Sequence, residues 1–236
     1  MGLLAYSGIT TKVRAMESRL LKPEQFQELA EQEDVRSAAD YLKEQPAYAE
    51  VFEGLDDTKL HRGYMEQILT QSEYRDFTRL YRFSGVKQRR FLDLYFKHYE
   101  VEVIKKLLRH VLGGREGQPD LSMFQDFFEK HSDLNLELLR PLPPPAASPC
   151  LPAAGNEPVS AVHRFQTGRT SDIQLLSNQM LNRIYGKTGH RYPHSPAVLD
   201  SYLYRKELEM RKIITALEGI RYGLPAAEIM GLLAKQ

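Results

Sequence analysis

Between Leu199 and Ile220, seven positions follow one another at alternating steps of four and three: Leu199, Leu203, Lys206, Met210, Ile213, Leu217 and Ile220. That spacing lays a nearly continuous apolar stripe along one side of a helix, with Lys206 its only polar interruption. Ser195 reads as the N-cap, Pro196 as the first helical residue and Gly223 as a left-handed stop. Pro225 then opens a short terminal helix with Glu228 in its first turn. The opposite face, Arg205, Glu209, Lys212 and neighbours, reads as a solvated mixed-charge surface. A rod of about 27 residues at 1.5 Å each spans roughly 40 Å, so something long has to lie along it.

The rest of the chain reads as further helices. Tyr6, Ile9, Val13, Met16 and Leu20 repeat the three-four step and predict a helix over residues 4–21. Pro23 with Glu24 starts a second, and Asp34 caps a third over residues 35–44 that Pro46 closes. A brief segment, 47–52, leads to a turn at Gly54. Asp56 or Asp57 then caps a long helix in which Leu60, Tyr64, Ile68, Phe77 and Tyr81 face inward, interrupted at Gly85. Two more helices follow, 87–99 and 101–112, with a stop at Gly113-Gly114. Asp120 or Ser122 starts another through Phe124, Phe127 and Phe128. Residues 173–185 predict one more, ending at Gly186. No run shows the period-two alternation of a strand, so the fold class is all-α.

The texture changes once. Seven of the 13 prolines fall between Pro141 and Pro158, with alanine filling much of the remainder. Such a stretch cannot carry a helix ladder and predicts extended or disordered chain. The expected organisation is an N-terminal helical module (1–140), a Pro/Ala-rich linker (141–170) and a C-terminal helical segment (171–236) docked on the first module. Exposing the apolar stripes of both end helices would leave a patch larger than soluble monomers tolerate.

Composition excludes several function classes. The chain has 236 residues, room for one or two domains, and its 32 basic and 31 acidic residues leave a formal charge of +1. A dedicated nucleic-acid binder carries a basic excess. Cys150 is the single cysteine, which rules out an intrachain disulfide and fits a reducing compartment. No apolar run is long enough to cross a bilayer, and the N-terminus lacks the charged and apolar regions of a signal peptide. Membrane association is therefore expected only through partners.

The motifs that suggest chemistry have plainer readings. Gly186-Lys187-Thr188 resembles the end of a phosphate loop, but Leu181 stands where the earlier glycine belongs and a helix, not a strand, precedes it; a helix C-cap fits better. His190 and His194 flank Pro193 and lack a Cys or Glu to complete a metal set, so they read as loop histidines. Cys150 has no organised histidine partner. The basic clusters Lys87, Arg89, Arg90 and Lys105, Lys106, Arg109, His110 alternate with core positions beside Asp93, Glu100 and Glu102, and read as a solvated or intersubunit face. The 13 tyrosines and 10 phenylalanines mostly fall at inward spacing and default to core packing. No acid–base pair or triad stands out. Catalytic, cofactor and metal residues are all read as none, and the partner-binding residues as unassigned.

Three blocks carry a family resemblance. Residues 6–21 (YSGITTKVRAMESRLL) resemble the first helix of the C-type subunit of bacterial and archaeal V-type ATPases, the counterpart of the eukaryotic d-type subunit. Residues 89–96 (RRFLDLYF) and 105–109 are similar to the end of that family's first helical repeat, and residues 196–203, 206–209 and 218–224 to its C-terminal helix. The resemblance implies a funnel of three helical modules seated on the membrane rotor ring (c/K subunits) with the central stalk in its mouth. It implies a non-catalytic adaptor without cofactor, peripheral on the cytoplasmic face, coupling ATP hydrolysis or synthesis to proton or sodium transport. This chain offers one module, the beginning of a second, then the proline stretch and the C-terminal end. The expected body is thus internally shortened, with the texture of residues 141–163 foreign to the family and an internal deletion or shifted frame as its source. The alternative reading is a free-standing helical scaffold or nucleic-acid adaptor.

Overall fold

The computed structural model describes residues 2–53, 60–112, 122–131 and 195–236. These hold α1 (Gly2–Glu17), α2 (Pro23–Ala30), α3 (Val35–Glu44), α4 (Ala49–Phe52), α5 (Arg62–Phe83), α6 (Val86–Leu112), α7 (Ser122–His131), α8 (Ala197–Arg221) and α9 (Ala226–Leu233), and no strand among the described residues. The fold is all-α. The 141–170 linker, the 173–185 helix, Cys150, Gly186-Lys187-Thr188, His190 and His194 lie outside the described residues.

The helix ends follow their local chemistry. The Asp34 carboxylate accepts the Ser37 N–H at 2.7 Å while the Ser37 hydroxyl receives the Asp34 N–H at 3.2 Å, a reciprocal cap on α3. That backbone hydrogen bond from Ser37 holds the Asp34 carboxyl below its usual pKa. At the far end of α8, Gly223 takes φ +68°, its N–H bonds to Ile220 O, and the Leu224 N–H bonds to Gly219 O at 3.0 Å. This is the paired C-terminal motif that needs glycine.

Four expected boundaries move. α8 starts one residue late: Pro196 precedes it, and Ser195 Oγ accepts the Ala197 N–H at 3.3 Å. α1 ends at Glu17, and 3₁₀-type bonds such as Arg19 N–H to Met16 O carry the chain into the turn before α2. α5 is capped not by Asp56 or Asp57 but by His61, whose Nδ1 accepts the Tyr64 N–H at 3.2 Å. The two helices expected over 87–99 and 101–112 are one, α6, because no glycine or proline interrupts residues 86–112.

The chain divides into two compact units, residues 1–88 with 178–236, and residues 89–177. In the first, α8 packs against α1, α2, α3, α5 and α9. Leu199, Leu203, Ile213 and Leu217 meet a core that includes Val13, Leu29, Leu42, Phe52, Leu69 and Phe77, all buried. α8 and α9 touch so closely at Gly219 that a Cβ there would stand 2.7 Å from Ile229 Cγ1. The second unit's described core is aromatic. The Phe96 ring lies 5.1 Å from Phe127 and 5.4 Å from Phe128, and Tyr99 lies 5.8 Å from Phe127.

Candidate functional site

The polar side chains of α8 form the most organised chemistry in the first unit. α8 is buried over much more than its apolar stripe: Ser201, Tyr202, Lys206, Glu209 and Gly219 are enclosed too. Glu209, expected on a solvated face, is 5% exposed, and Lys206 is fully enclosed. The helix is surrounded by five others, so the arc hidden from water is wider than sequence periodicity alone defines.

Each polar group is tied to a different element. Glu209 Oε1 accepts the Leu21 N–H at 2.6 Å, anchoring α8 to the turn between α1 and α2. Lys206 Nζ lies 3.6 Å from Glu209 Oε2, an ion pair too long for a hydrogen bond, and 3.9 Å from the centre of the Tyr48 ring. Tyr202 donates its hydroxyl to Asp76 Oδ2 on α5 at 2.7 Å. On the same helix Arg79 lies 3.4 Å from Asp76 Oδ1 and donates to both oxygens of Glu50 on α4 at 2.9 and 3.0 Å, while Arg75 adds a bond to Glu50 at 2.8 Å. Arg205 pairs with Glu17 of α1 at 3.2 Å. Near the end of α8, Arg221 donates to the carbonyl of Leu60 at 2.7 Å and Glu218 faces Arg62 at 3.8 Å.

Enclosure sets the protonation chemistry. Burial pushes the Glu209 carboxyl above the usual carboxylate range, with the Lys206 ammonium and the Leu21 N–H pulling the other way. Burial also drives the Tyr48 and Tyr202 phenols well up, and the nearby carboxylates Glu209 and Asp76 add to it. Tyr48, Asp76, Tyr202, Lys206 and Glu209 are each at most 8% exposed, so water and solutes do not reach this cluster from outside. What it can do is fix the register of α8 against α1, the α1–α2 turn, the Tyr48 ring that precedes α4, and α5. Sliding α8 would strip the Tyr202 hydroxyl and Glu209 Oε1 of their partners while leaving both buried.

The other residues singled out by sequence are dispersed. Lys87, Arg89 and Arg90 are exposed in the first turns of α6, and Lys105 pairs with Glu102 at 2.7 Å on its surface. Glu100 is buried and pairs with Lys97 at 2.9 Å. The side chains of Lys106, Arg109 and His110 lie outside the described ones. Lys212, read as solvated, is half-buried over the Phe26 ring at 5.9 Å. Among the described residues no group of His, Cys, Asp and Glu could hold a metal ion, and no helix is long and apolar enough to cross a membrane. The Tyr202–Asp76 bond and the Glu209 anchor were not read from sequence. Lys206 was a signal for the second, since a lone cation in an apolar stripe needs an enclosed anion.

Among the described residues of the first unit, the organised polar chemistry is turned inward and ties helices to one another. The chain belongs to the ATP synthase (C/AC39) subunit family, whose profile matches residues 9–140 and 153–232. It is thereby a member of a family of V-type ATP synthase subunits. The match leaves out residues 141–152, within the proline-rich stretch; residues 153–163, set apart by their texture, lie inside it. No curated protein and no solved structure matches the chain.

Proposed function

We propose that this chain is the non-catalytic central-rotor adaptor of a V-type ATPase or ATP synthase. It links the membrane rotor ring to the central stalk, and so couples ATP hydrolysis or synthesis to proton or sodium transport. It sits peripherally on the cytoplasmic face and reaches the membrane only through its partners. The observation that carries the reading is the family match over residues 9–140 and 153–232. The ties of α8 to α1, the α1–α2 turn and α5 support it mechanically: a part that transmits torque must resist sliding of its helices, and buried directional bonds oppose sliding more strongly than apolar contact does.

The body we propose is internally shortened, and comparison of the three coding frames across residues 141–163 tests the deletion. The functional test is reconstitution. The purified chain, added to a rotor ring and central stalk stripped of their own adaptor, should join the two and restore ATP-driven ion uptake. Alone it should hydrolyse no ATP. Failure to bind either ring or stalk, with the ring and stalk competent for their native adaptor, defeats the proposal.

A further inference from the structure

In the first unit an open notch of about 230 Å³ lies between the α1–α2 turn, α2, α8 and α9. Leu21, Pro23, Phe26, Met230 and Leu233 form its walls, and Lys212 is the one charged side chain lining it. Leu21, Phe26 and Leu233 are buried, Pro23 and Ala234 form an exposed rim, and Leu232 beside it is 36% exposed. The Lys212 ammonium makes no ion pair among the described residues; it stands over the Phe26 ring at 5.9 Å. Burial lowers the pKa of this amine, so its charge is short of solvation where it stands. An anion arriving here supplies what the lost water did.

We infer that this notch is a docking seat for a segment of a partner protein that presents one bulky apolar side chain with an aspartate or glutamate within one helical turn of it. Size decides between a partner's side chain and a free small ligand. Cavities that enclose small molecules run from about 300 to 1,000 Å³ and cover most of the ligand. This one is smaller and open on one side, the dimensions of a seat for a single anchor residue carried by a larger body. Residues three or four apart share a helix face, which brings a carboxylate to Lys212 as the apolar side chain enters between Phe26 and Met230. The inference deepens the adaptor reading by giving the complex one contact point.

Two measurements on the full chain test it. The first uses indole-3-propionate and its neutral amide as probes, read by the methyl signals of ¹³C-methyl methionine, with Met230 assigned through Met230→Leu. The acid should shift the Met230 methyl with a Kd on the order of 1 mM, and the amide should bind about threefold more weakly. Lys212→Gln should erase that difference and leave the amide's affinity unchanged. No shift at about 10 mM acid, or equal binding of acid and amide, overturns the seat while leaving the reconstitution test untouched. The second places photoreactive benzoylphenylalanine at Ala234 in the assembled complex. The cross-linked peptide should carry a bulky apolar residue with Asp or Glu within four positions. A cross-link to lipid, to a segment without that pairing, or to nothing overturns the inference.

Discussion

Lys206 occupies a stripe position where leucine or isoleucine would serve packing as well, and its ammonium is wholly enclosed beside Glu209 and the Tyr48 ring. Removing one member of a buried pair leaves the other charged without compensation, which costs about 3–5 kcal/mol, whereas replacing both is often close to neutral. Lys206→Met should therefore lower stability by about that amount at pH 8, and Lys206→Met with Glu209→Gln should recover much of it. The amide oxygen of the glutamine can still accept the Leu21 N–H. The effect has a pH signature with a definite sign. Glu209 already has a raised folded pKa, so the folded state holds its proton more tightly than the unfolded one, and stability falls as pH rises from the ordinary glutamate value through the folded one. Without Lys206 that pKa rises further and the window widens upward. The gap between wild type and Lys206→Met should thus be small near pH 4.5 and grow toward pH 8, as followed by urea denaturation. A gap that is constant or shrinks with pH would show that the two groups are not coupled. Lys206 was legible in the sequence as an anomaly, but Glu209 was not. At 3.6 residues per turn it lies about 60° around the helix from Lys206 and about 20° beyond the stripe's edge at Ile220, and only the number of surrounding helices decides whether that position is wet.

At the scale of the element, the stops and starts written in special residues were legible: Asp34, Pro23, Gly223 and Pro225 act where their chemistry predicts. Boundaries resting on weaker signals moved. His61 caps α5 although histidine is not a typical cap, and α6 runs through the expected break near Glu100 because charged residues flank it without breaking the ladder. The meeting of α8 with α9 was hidden for another reason, since Gly219 reads as a neutral gap in the helix until Ile229 is placed against it. An added methyl would enter 2.7 Å from Ile229 Cγ1 but 3.6 Å from its Cβ. Gly219→Ala should therefore destabilise by about 1–3 kcal/mol through overpacking, despite alanine's better helix propensity. Ile229→Ala removes the clashing atoms, so the double variant should be more stable than the sum of the single losses predicts. Thermal melts of the four proteins give the cycle, and strict additivity would mean that α8 and α9 yield to each other freely.

Across the first unit, residues 188 and 126 positions apart are joined by hydrogen bonds: Leu21 to Glu209, and Asp76 to Tyr202. Leu217 is 3% exposed on the α8 face that carries Ile213 and Ile220. If α8 is part of the core of residues 2–88, and not a separate appendage, Leu217→Ala should lower the stability of the entire unit by about 2–5 kcal/mol. The reason is that a cavity beneath α8 weakens whatever unfolds with it. Native-state amide exchange can read this site by site. The amides of the fully buried α5 residues Leu69 and Phe77 should speed up by the same factor as those of α8 at Leu203 and Ile213, because all four would report one global opening. Lys212→Ala, on a half-buried side chain without an ion pair among the described residues, should change all four by far less. Faster exchange confined to residues 195–236 would mean that α8 detaches while α1 to α5 stay folded. The buried bonds at Glu209 and Tyr202 would then open together, ahead of the rest, and α8 could not carry torque into the body it crosses.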